Sequence, residues 1–226
     1  MAELILALDL PTKAEALGLL DRLPGLRWVK VGSILMTAEG PAVVHELVNR
    51  GLNVFLDLKW HDIPTTVAGA VTAARGLGVR MATVHTLGGP VMLRAAVQAA
   101  GDSIAMIGVT VLTSHDESDY AAVVGRPSVR LLDEAARLAR SAISAGLAGV
   151  VCSPLEVDRV RSGLGPDPLI VVPGIRRPGD AAGDQSRTAS PAEAVRHGAT
   201  HLVVGRPILE AADPGAALAE FASTLA

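Results

Sequence analysis

The sequence predicts a single α/β domain, a (β/α)8 or TIM barrel over residues 1–226, and three observations carry this prediction. First, short runs rich in Val, Ile and Leu alternate roughly eight times with longer Ala-rich stretches of helical periodicity. Second, hydrophobic residues make up 50% of the chain and aromatic residues only 2%, which favours parallel strands buried on both faces beneath helices. Third, no low-complexity tract or long linker interrupts the 226 residues, a length near the lower end for such barrels.

The predicted strands and helices alternate along the whole chain. Thr12 is a natural N-cap for the first helix, and Gly51 is a natural C-cap for the second. The predicted strands cover residues 4–9, 27–31, 52–58, 81–85, 104–112, 149–152, 169–172 and 201–204. The later helices are predicted over residues 64–77, 90–100, 129–145, 155–160, 191–196 and 213–224. An open doubly wound sheet is the alternative, but no Gly-x-Gly-x-x-Gly segment follows the first strand.

Charge and composition exclude several classes of partner. The chain has 20 Lys and Arg against 23 Asp and Glu, a net charge of -3, so we expect neither a nucleic acid nor an anionic membrane as partner. The single cysteine, Cys152, excludes an internal disulfide and a cysteine-cluster metal site. The apolar run near the N-terminus ends at Asp9, too early for a signal peptide or a membrane span. We therefore expect a cytoplasmic protein.

The third predicted strand carries the clearest candidate for chemistry. In a barrel of this type, the active site is built at the carboxyl ends of the strands. Asp57 and Lys59 stand two residues apart there, so we expect their side chains on one face. If that face lines the mouth, an acid and an amine meet, and Lys30 on the second strand adds another cation. A structural ion-pair cluster is the alternative, although charges that point into a barrel are costly to bury unless they serve binding or catalysis.

The chain after the seventh and eighth strands predicts a phosphate site. In many barrels the loops at these two positions hold a phosphate at the start of a short helix. Gly205 and Arg206 follow the eighth strand and offer a bare backbone N–H beside a guanidinium. The long loop over residues 174–189 has a composition typical of a lid, although a solvated surface loop is the alternative. Its polar residues include Arg176, Arg177, Asp184 and Gln185.

The histidines predict no metal centre. His85, at the end of the fourth strand, fits either a residue lining the site or a hydrogen-bonded structural residue, and the direction of the His61 side chain is undetermined. The remaining histidines show no spacing typical of metal ligands. They are His45, His115, His197 and His201.

The segment Asp57-x-Lys59-x-x-Asp62-Ile63-Pro64-x-Thr66 resembles the orotidine 5'-phosphate decarboxylase family, whose members make UMP in the last step of de novo pyrimidine synthesis. Other segments resemble the family's motifs in the same order, so that the resemblance covers essentially the whole chain. These segments are Leu6-Ala7-Leu8-Asp9, Val29-Lys30-Val31-Gly32, Thr83-Val84-His85, Val109-Thr110-Val111-Leu112-Thr113-Ser114, Pro173-Gly174-Ile175-Arg176 and Val203-Val204-Gly205-Arg206.

The resemblance implies a role for each matching residue. Lys59 would donate a proton to C6 of the pyrimidine, and Asp57 would lie against the substrate carboxylate. Lys30 and Asp62 would complete an alternating array of lysines and aspartates. The resemblance also implies a homodimer with shared sites, in which one subunit contributes to its neighbour's site the residues Asp62, Ile63 and Thr66.

The substrate implied is the nucleotide orotidine 5'-phosphate, with no cofactor and no metal. Asp9 and Lys30 would hold the ribose hydroxyls, and Thr113 and Pro173 would lie near the base. The phosphate would be surrounded by Arg176, Gln185, Gly205 and Arg206. Some relatives carry a basic residue directly after the lid glutamine, whereas this chain has Ser186 and then Arg187.

Two other functions stay open as alternatives. Magnesium-dependent sugar-phosphate decarboxylases and aldolases of the same superfamily share the Asp-x-Lys-x-x-Asp core, but they place an acidic metal ligand on the second strand. This chain has Lys30 there, a cation that would repel Mg²⁺. The other alternative is a non-catalytic phosphate-binding barrel, against which the complete set of Lys59, Asp57 and Asp62 argues.

Overall fold

Eight parallel strands close into a barrel in the order in which they occur along the chain. The structure is a computed structural model that describes residues 2–177, 179–180 and 187–225. The last strand pairs with the first, so the sheet has no free edge. The strands are β1 Glu3–Ala7, β2 Trp28–Gly32, β3 Asn53–Trp60, β4 Met81–His85, β5 Ala105–Val109, β6 Gly149–Val151, β7 Leu169–Val172 and β8 His201–Val204.

Helices cover the outside of the barrel and connect its strands. Short 3-10 turns, Thr86–Gly88 and Pro154–Glu156, follow β4 and β6. Within the part of the chain that the structure describes, no helix has the length and apolar character needed to cross a membrane. The helices are α1 Lys13–Leu20, α2 Ser33–Glu39, α3 Pro41–Asn49, α4 Pro64–Gly76, α5 Gly89–Ala100, α6 Glu117–Val123, α7 Leu131–Ser144, α8 Val157–Leu164, α9 Pro191–Arg196, α10 Arg206–Leu209 and α11 Pro214–Ser223.

Side chains alternate between the interior of the barrel and the layer beneath the helices. Ile5 and Ala7 of β1 point inward, whereas Leu4 and Leu6 pack in the outer layer. Since residues paired in register share a face, inward positions continue around the sheet. The interior is plugged by Ile5, Ala7, Phe55, Met81, Ile107, Val171 and Val203. Inward residues that follow this plug along each strand therefore open into the mouth at the carboxyl end.

The predicted barrel is confirmed, and three strands match the prediction residue by residue: β4, β7 and β8. The Thr12 side chain caps α1 by accepting the Glu15 N–H at 3.2 Å. The single helix expected between β2 and β3 is instead two, α2 and α3. The chain breaks at Gly40, whose φ of 65° a residue with a side chain rarely adopts, and Pro41 then begins the second helix.

The region after β5 differs most from the prediction. The fifth strand was expected over residues 104–112, but it ends at Val109 because β4 and β6 end at His85 and Val151 and leave no further strand to pair with. The polar loop expected next contains α6, which the Asp116 side chain caps by accepting the Asp119 N–H at 2.8 Å. This helix is held by a small separate core of Val111, Tyr120, Ala121, Val129, Leu131 and Leu138.

Candidate active site

The strand register brings the candidate lysines and aspartates together above the plug. Ala7 pairs with Lys30, and Gly32 pairs with Asp57, so both charged side chains point inward at the mouth. The Lys30 ammonium lies 2.9 Å from Asp9 Oδ1 and 3.8 Å from Asp57 Oδ2. These distances define a row of alternating charge across the ends of β1, β2 and β3.

Lys59 extends this row, but its backbone conformation differs from the regular strand that its spacing from Asp57 predicts. Its Nζ lies 2.9 Å from Asp57 Oδ2, so the expected contact is present. Regular alternation is not the cause, because Lys59 has a φ of 51° and is the one non-glycine residue with positive φ in the described chain. Pairing with β4 stops after Leu56 and resumes at Trp60, with two extra residues on β3. The Lys59 ammonium therefore reaches Asp57 from a left-handed turn.

Thr83 holds the turn and the acid together, although the sequence analysis assigned it no role in the site. Its Oγ1 accepts the backbone N–H of Lys59 at 2.8 Å and donates to Asp57 Oδ1 at 3.0 Å. Thr83 is an inward residue of β4, two before His85, and this alternation could have identified it.

Burial differs among the three charged side chains of the array. Asp57 and Lys30 are 13% and 11% exposed, whereas Lys59 is 39% exposed. A carboxylate deep in the mouth is thus held between two ammonium groups, of which that of Lys59 is more open to a ligand. Such an arrangement places fixed negative charge beside an acid able to donate a proton.

Asp62, Ile63 and Thr66 lie beyond the end of β3, on the surface. The Asp62 carboxylate accepts the Ile63 N–H at 2.6 Å, whereas the lysines of the array pair with Asp9 and Asp57. Pro64 then begins α4. Within one subunit, therefore, the structure separates Asp62 from the array.

Two imidazole rings stack beside the array. The rings of His61 and His85 are 5.4 Å apart at their centres with planes inclined by 19°. His85 Nδ1 accepts the Leu87 N–H at 3.4 Å, which caps the turn after β4. Burial, followed by the positive fields of His61 and Lys59, lowers the pKa of His85 to about 4. His85 is therefore a neutral hydrogen-bond acceptor near neutral pH.

Gly205 lies at the mouth next to Asp9. A Cβ added to Gly205 would be 3.5 Å from Ala7 Cβ and 3.9 Å from Asp9 Oδ2, so its backbone faces the array. Arg206 is exposed at the first position of α10. The predicted phosphate position is thus adjacent to the predicted ribose position.

The remaining candidates follow β5 and β7. Thr113 and Pro173 are half-buried beyond the ends of these strands. The Arg176 N–H donates to the Ala189 carbonyl at 3.0 Å, which closes the base of the long connection between β7 and α9. Gln185, like Asp184 and Ser186, lies outside the described residues. No group of three or more His, Cys, Asp or Glu residues in the described ranges is arranged to hold a metal ion.

Comparisons with known proteins identify the family of the chain. The family model described as "Orotidine 5'-phosphate decarboxylase / HUMPS family" matches residues 2–221. The chain is 49% identical over 222 residues to an orotidine 5'-phosphate decarboxylase of Anaeromyxobacter sp. (strain K), covering 97% of this chain and 96% of the relative. It is 47% identical over 219 residues to the enzyme of that name from Nitrosospira multiformis, covering 95% and 90% of the two chains.

A solved structure is also similar over the whole chain. The crystal structure of orotidine 5'-phosphate decarboxylase from Lactobacillus acidophilus superposes with a TM-score of 0.89 at 35% identity, covering 100% of this chain and 99% of the other. An uncharacterized conserved protein from Geobacillus kaustophilus superposes with a TM-score of 0.85 at 34% identity, covering 99% and 100%. On the family match and these near-full-length relatives, the chain belongs to the orotidine 5'-phosphate decarboxylase / HUMPS family.

Proposed function

We propose that this enzyme decarboxylates orotidine 5'-phosphate to UMP and CO2, the closing step of UMP synthesis, without a cofactor. The observation that carries the proposal is the row of Lys30, Asp57 and Lys59 across the mouth, with contacts of 3.8 and 2.9 Å. Membership of the family supports the same substrate.

Lys59 is the proposed proton donor. When the bond from C6 to the carboxylate carbon breaks, its electron pair stays on C6 in an orbital that the ring carbonyls do not delocalise. Enzymes that overcome barriers of this size supply on the order of 20 kcal/mol. The Lys59 ammonium stabilises the developing charge electrostatically and then transfers a proton to C6. Its exposure at the mouth makes it available for this transfer.

Asp57 is proposed to act on the substrate carboxylate. It is held in place by Thr83 and by two lysines, so it cannot easily turn away from a second negative charge. Repulsion between the two carboxylates raises the energy of the bound substrate and disappears as CO2 leaves. Lys30 limits the cost of burying Asp57 in the empty site.

Binding of the ribose and phosphate is assigned to the opposite side of the mouth. Asp9 and Lys30, 2.9 Å apart, offer an acceptor and a donor to the ribose hydroxyls. Gly205 and Arg206, with Arg176 and Gln185, are proposed to bind the phosphate, and Thr113 and Pro173 to contact the base. Binding energy from the distant phosphate then helps to organise the reacting centre.

The active unit is proposed to be a homodimer in which Asp62 completes the array of the partner. The exposed carboxylate of Asp62 and its separation from the array of its own chain support this proposal. Large apolar side chains are exposed in the segments that follow β2, β3 and β4, on the same side of the mouth as Asp62, which is typical of an interface. These side chains are Ile34, Ile63, Leu87 and Val91.

A magnesium-dependent sugar-phosphate enzyme is the second candidate, because the Asp-x-Lys-x-x-Asp core of this chain resembles that class of enzyme as well. Lys30 argues against it, since it occupies the position on β2 where an acidic ligand would be needed and already pairs with Asp9 and Asp57.

Loss of orotidine 5'-phosphate, followed by ultraviolet absorbance with and without EDTA, tests the proposal. We expect the same rate in both conditions and a loss of activity to background in Lys59→Ala. Activity that disappears in EDTA and returns with Mg²⁺ would instead support the sugar-phosphate class of enzyme.

A further inference from the structure

A buried ion pair lies at the mouth outside the lysine and aspartate array. Arg187 Nη1 binds Glu156 Oε1, and the two side chains are 12% and 1% exposed. Glu156 ends the short turn after β6, and its other carboxylate oxygen accepts the Ser153 N–H at 2.9 Å. Arg187 belongs to the connection between β7 and α9. The pair therefore joins two segments that follow different strands.

The same guanidinium also reaches a third strand end. Arg187 Nη2 donates to the Leu112 carbonyl at 3.1 Å, and Leu112 directly precedes Thr113. Two residues beyond Arg187, Ala189 forms a parallel bridge with Ile175 after β7. One planar group thus sets the spacing among the ends of β5, β6 and β7, which a point charge such as a lysine ammonium could not do with the same angular precision.

Stability alone does not account for this pair. Burial raises the pKa of Glu156 and outweighs the opposite effect of Arg187, so the carboxylate is held at a cost. Arg187 Nε is also buried and has no hydrogen-bond partner among the described residues. An apolar pair of similar volume is often at least as stable as a buried ion pair. What such a pair lacks is a directional bond to the Leu112 carbonyl.

We propose that Arg187 is a positioning residue for the pyrimidine side of the site. By binding Glu156 and the Leu112 carbonyl together, it holds Thr113 at the distance that the base requires. The Glu156 carboxylate orients the Arg187 guanidinium through their ion pair. This inference rests on the proposed function, in which Thr113 contacts the base.

The test replaces the ion pair by an apolar pair, in the double variant Glu156→Leu/Arg187→Met. We expect a lower melting temperature, because Glu156→Leu leaves the buried Ser153 N–H without its acceptor. At a temperature at which the variant is fully folded, we expect kcat/KM to be lower by roughly 100-fold, as small misplacements remote from the chemistry can cause. The loss should be equal for orotidine 5'-phosphate and for orotidine, because both carry the base. Arg187→Lys keeps the positive charge but not the planar, forked guanidinium. Its kcat/KM should therefore lie between those of the wild type and the double variant.

Arg161→Met is the matched control. Arg161 is a half-buried arginine that binds the carbonyls of Gly165, Pro168 and Gly198 at the amino ends of β7 and β8. Its loss should lower the melting temperature and leave kcat/KM unchanged.

Two results would overturn the positioning role of Arg187. One is a kcat/KM of the apolar double variant equal to that of the wild type. The other is a loss of kcat/KM for orotidine 5'-phosphate with no loss for orotidine. Failure of the proposed function itself would be recognised separately, because the wild-type protein would then leave orotidine 5'-phosphate unchanged.

Discussion

Lys59 adopts a backbone conformation that a residue with a side chain seldom adopts. Its φ of 51° costs about 1–2 kcal/mol relative to the right-handed region. The hydrogen bond from its N–H to Thr83 Oγ1 stabilises the turn, and Thr83 at the same time binds Asp57. Strain of this kind persists where surrounding contacts over-determine the conformation, and it concentrates at functional sites. The proton donor and the acid of the proposed mechanism thus share one anchor.

Gly32 provides a test of how tightly the array is packed. A Cβ at this position would lie 2.9 Å from Lys30 Nζ, closer than real contacts allow, and 3.1 Å from Asp9 Oδ1, which is tighter than most real contacts. Gly32→Ala must therefore displace the Lys30 ammonium. We expect kcat/KM to fall roughly tenfold, because displacing a catalytic group by a fraction of an ångström typically causes a loss of this size. Steady-state kinetics measures the loss.

Gly18→Ala is the control for Gly32→Ala, because a Cβ on this residue of α1 would meet nothing within 4 Å. Its kcat/KM should match that of the wild type. Unchanged activity in Gly32→Ala would show that the position of the Lys30 ammonium is not critical.

The lowered pKa of His85 predicts that the stability of the folded protein depends on pH. Its pKa is about 4 in the folded protein, below the ordinary value of 6.5, so the folded state favours the neutral ring. This contribution to stability is fully present above about pH 6.5 and is lost as the pH falls through about 4. We expect an NMR titration of the His85 ring to have its midpoint near 4.

His85→Asn removes the titration while keeping an acceptor for the Leu87 N–H. Its melting temperature should therefore fall less than that of the wild type between pH 7 and pH 5. Burial also lowers the pKa of His201, so both proteins should retain some acid sensitivity. A His85 midpoint near its ordinary value of 6.5 would contradict the prediction.

At the scale of elements, most boundaries follow from local chemistry. Pro64 begins α4 and Thr12 caps α1, as the residues themselves indicate. The short helix α10 was not predicted, because four residues are too few for a helical period to be recognised. The start of α10 directly after β8 nevertheless determines the position of Arg206, the first residue of this helix.

Arg206→Ala tests the proposed phosphate role of α10. A charge-assisted hydrogen bond contributes about 1.5–3 kcal/mol, so kcat/KM for orotidine 5'-phosphate should fall roughly 10- to 100-fold. The phosphate-free nucleoside should show a much smaller loss. Arg196→Ala, which removes an exposed arginine at the end of α9, is the control and should affect neither substrate. Equal losses on both substrates in Arg206→Ala would remove the phosphate role.

At the scale of the whole molecule, the prediction concerns shared sites. Lys59→Ala and Asp62→Ala should each be inactive, but a mixture of the two should recover activity. In a mixed dimer one site collects both defects and the other carries neither. Exchange at equal ratio makes about half of the dimers mixed, so roughly a quarter of wild-type activity should return.

Subunit exchange needs to be verified independently, for example by native mass spectrometry of differently tagged variants. If exchange occurs and activity stays at background, Asp62 serves the site of its own chain or has no catalytic role. Recovery would also establish the dimer as the active unit.

The sequence by itself determined the order of the strands, the positions of the charged residues at the strand ends, and the shared face of residues two apart wherever a strand is regular. These properties depend on a period of two along each strand and on short motifs, which are local. Lys30 and Asp57 could therefore be assigned to the mouth from the sequence. Their 3.8 Å contact depends on the register between β2 and β3, which the structure supplies.

Only the tertiary structure decided the left-handed turn at Lys59, the bridging role of Thr83 and the pairing of Arg187 with Glu156. Thr83 lies 24 residues from Lys59, and Arg187 lies 31 residues from Glu156. Whether β3 pairs regularly with β4 or gains two residues depends on how the closed barrel sets one strand against the next. No local pattern records that alignment, because it arises from packing around the whole ring.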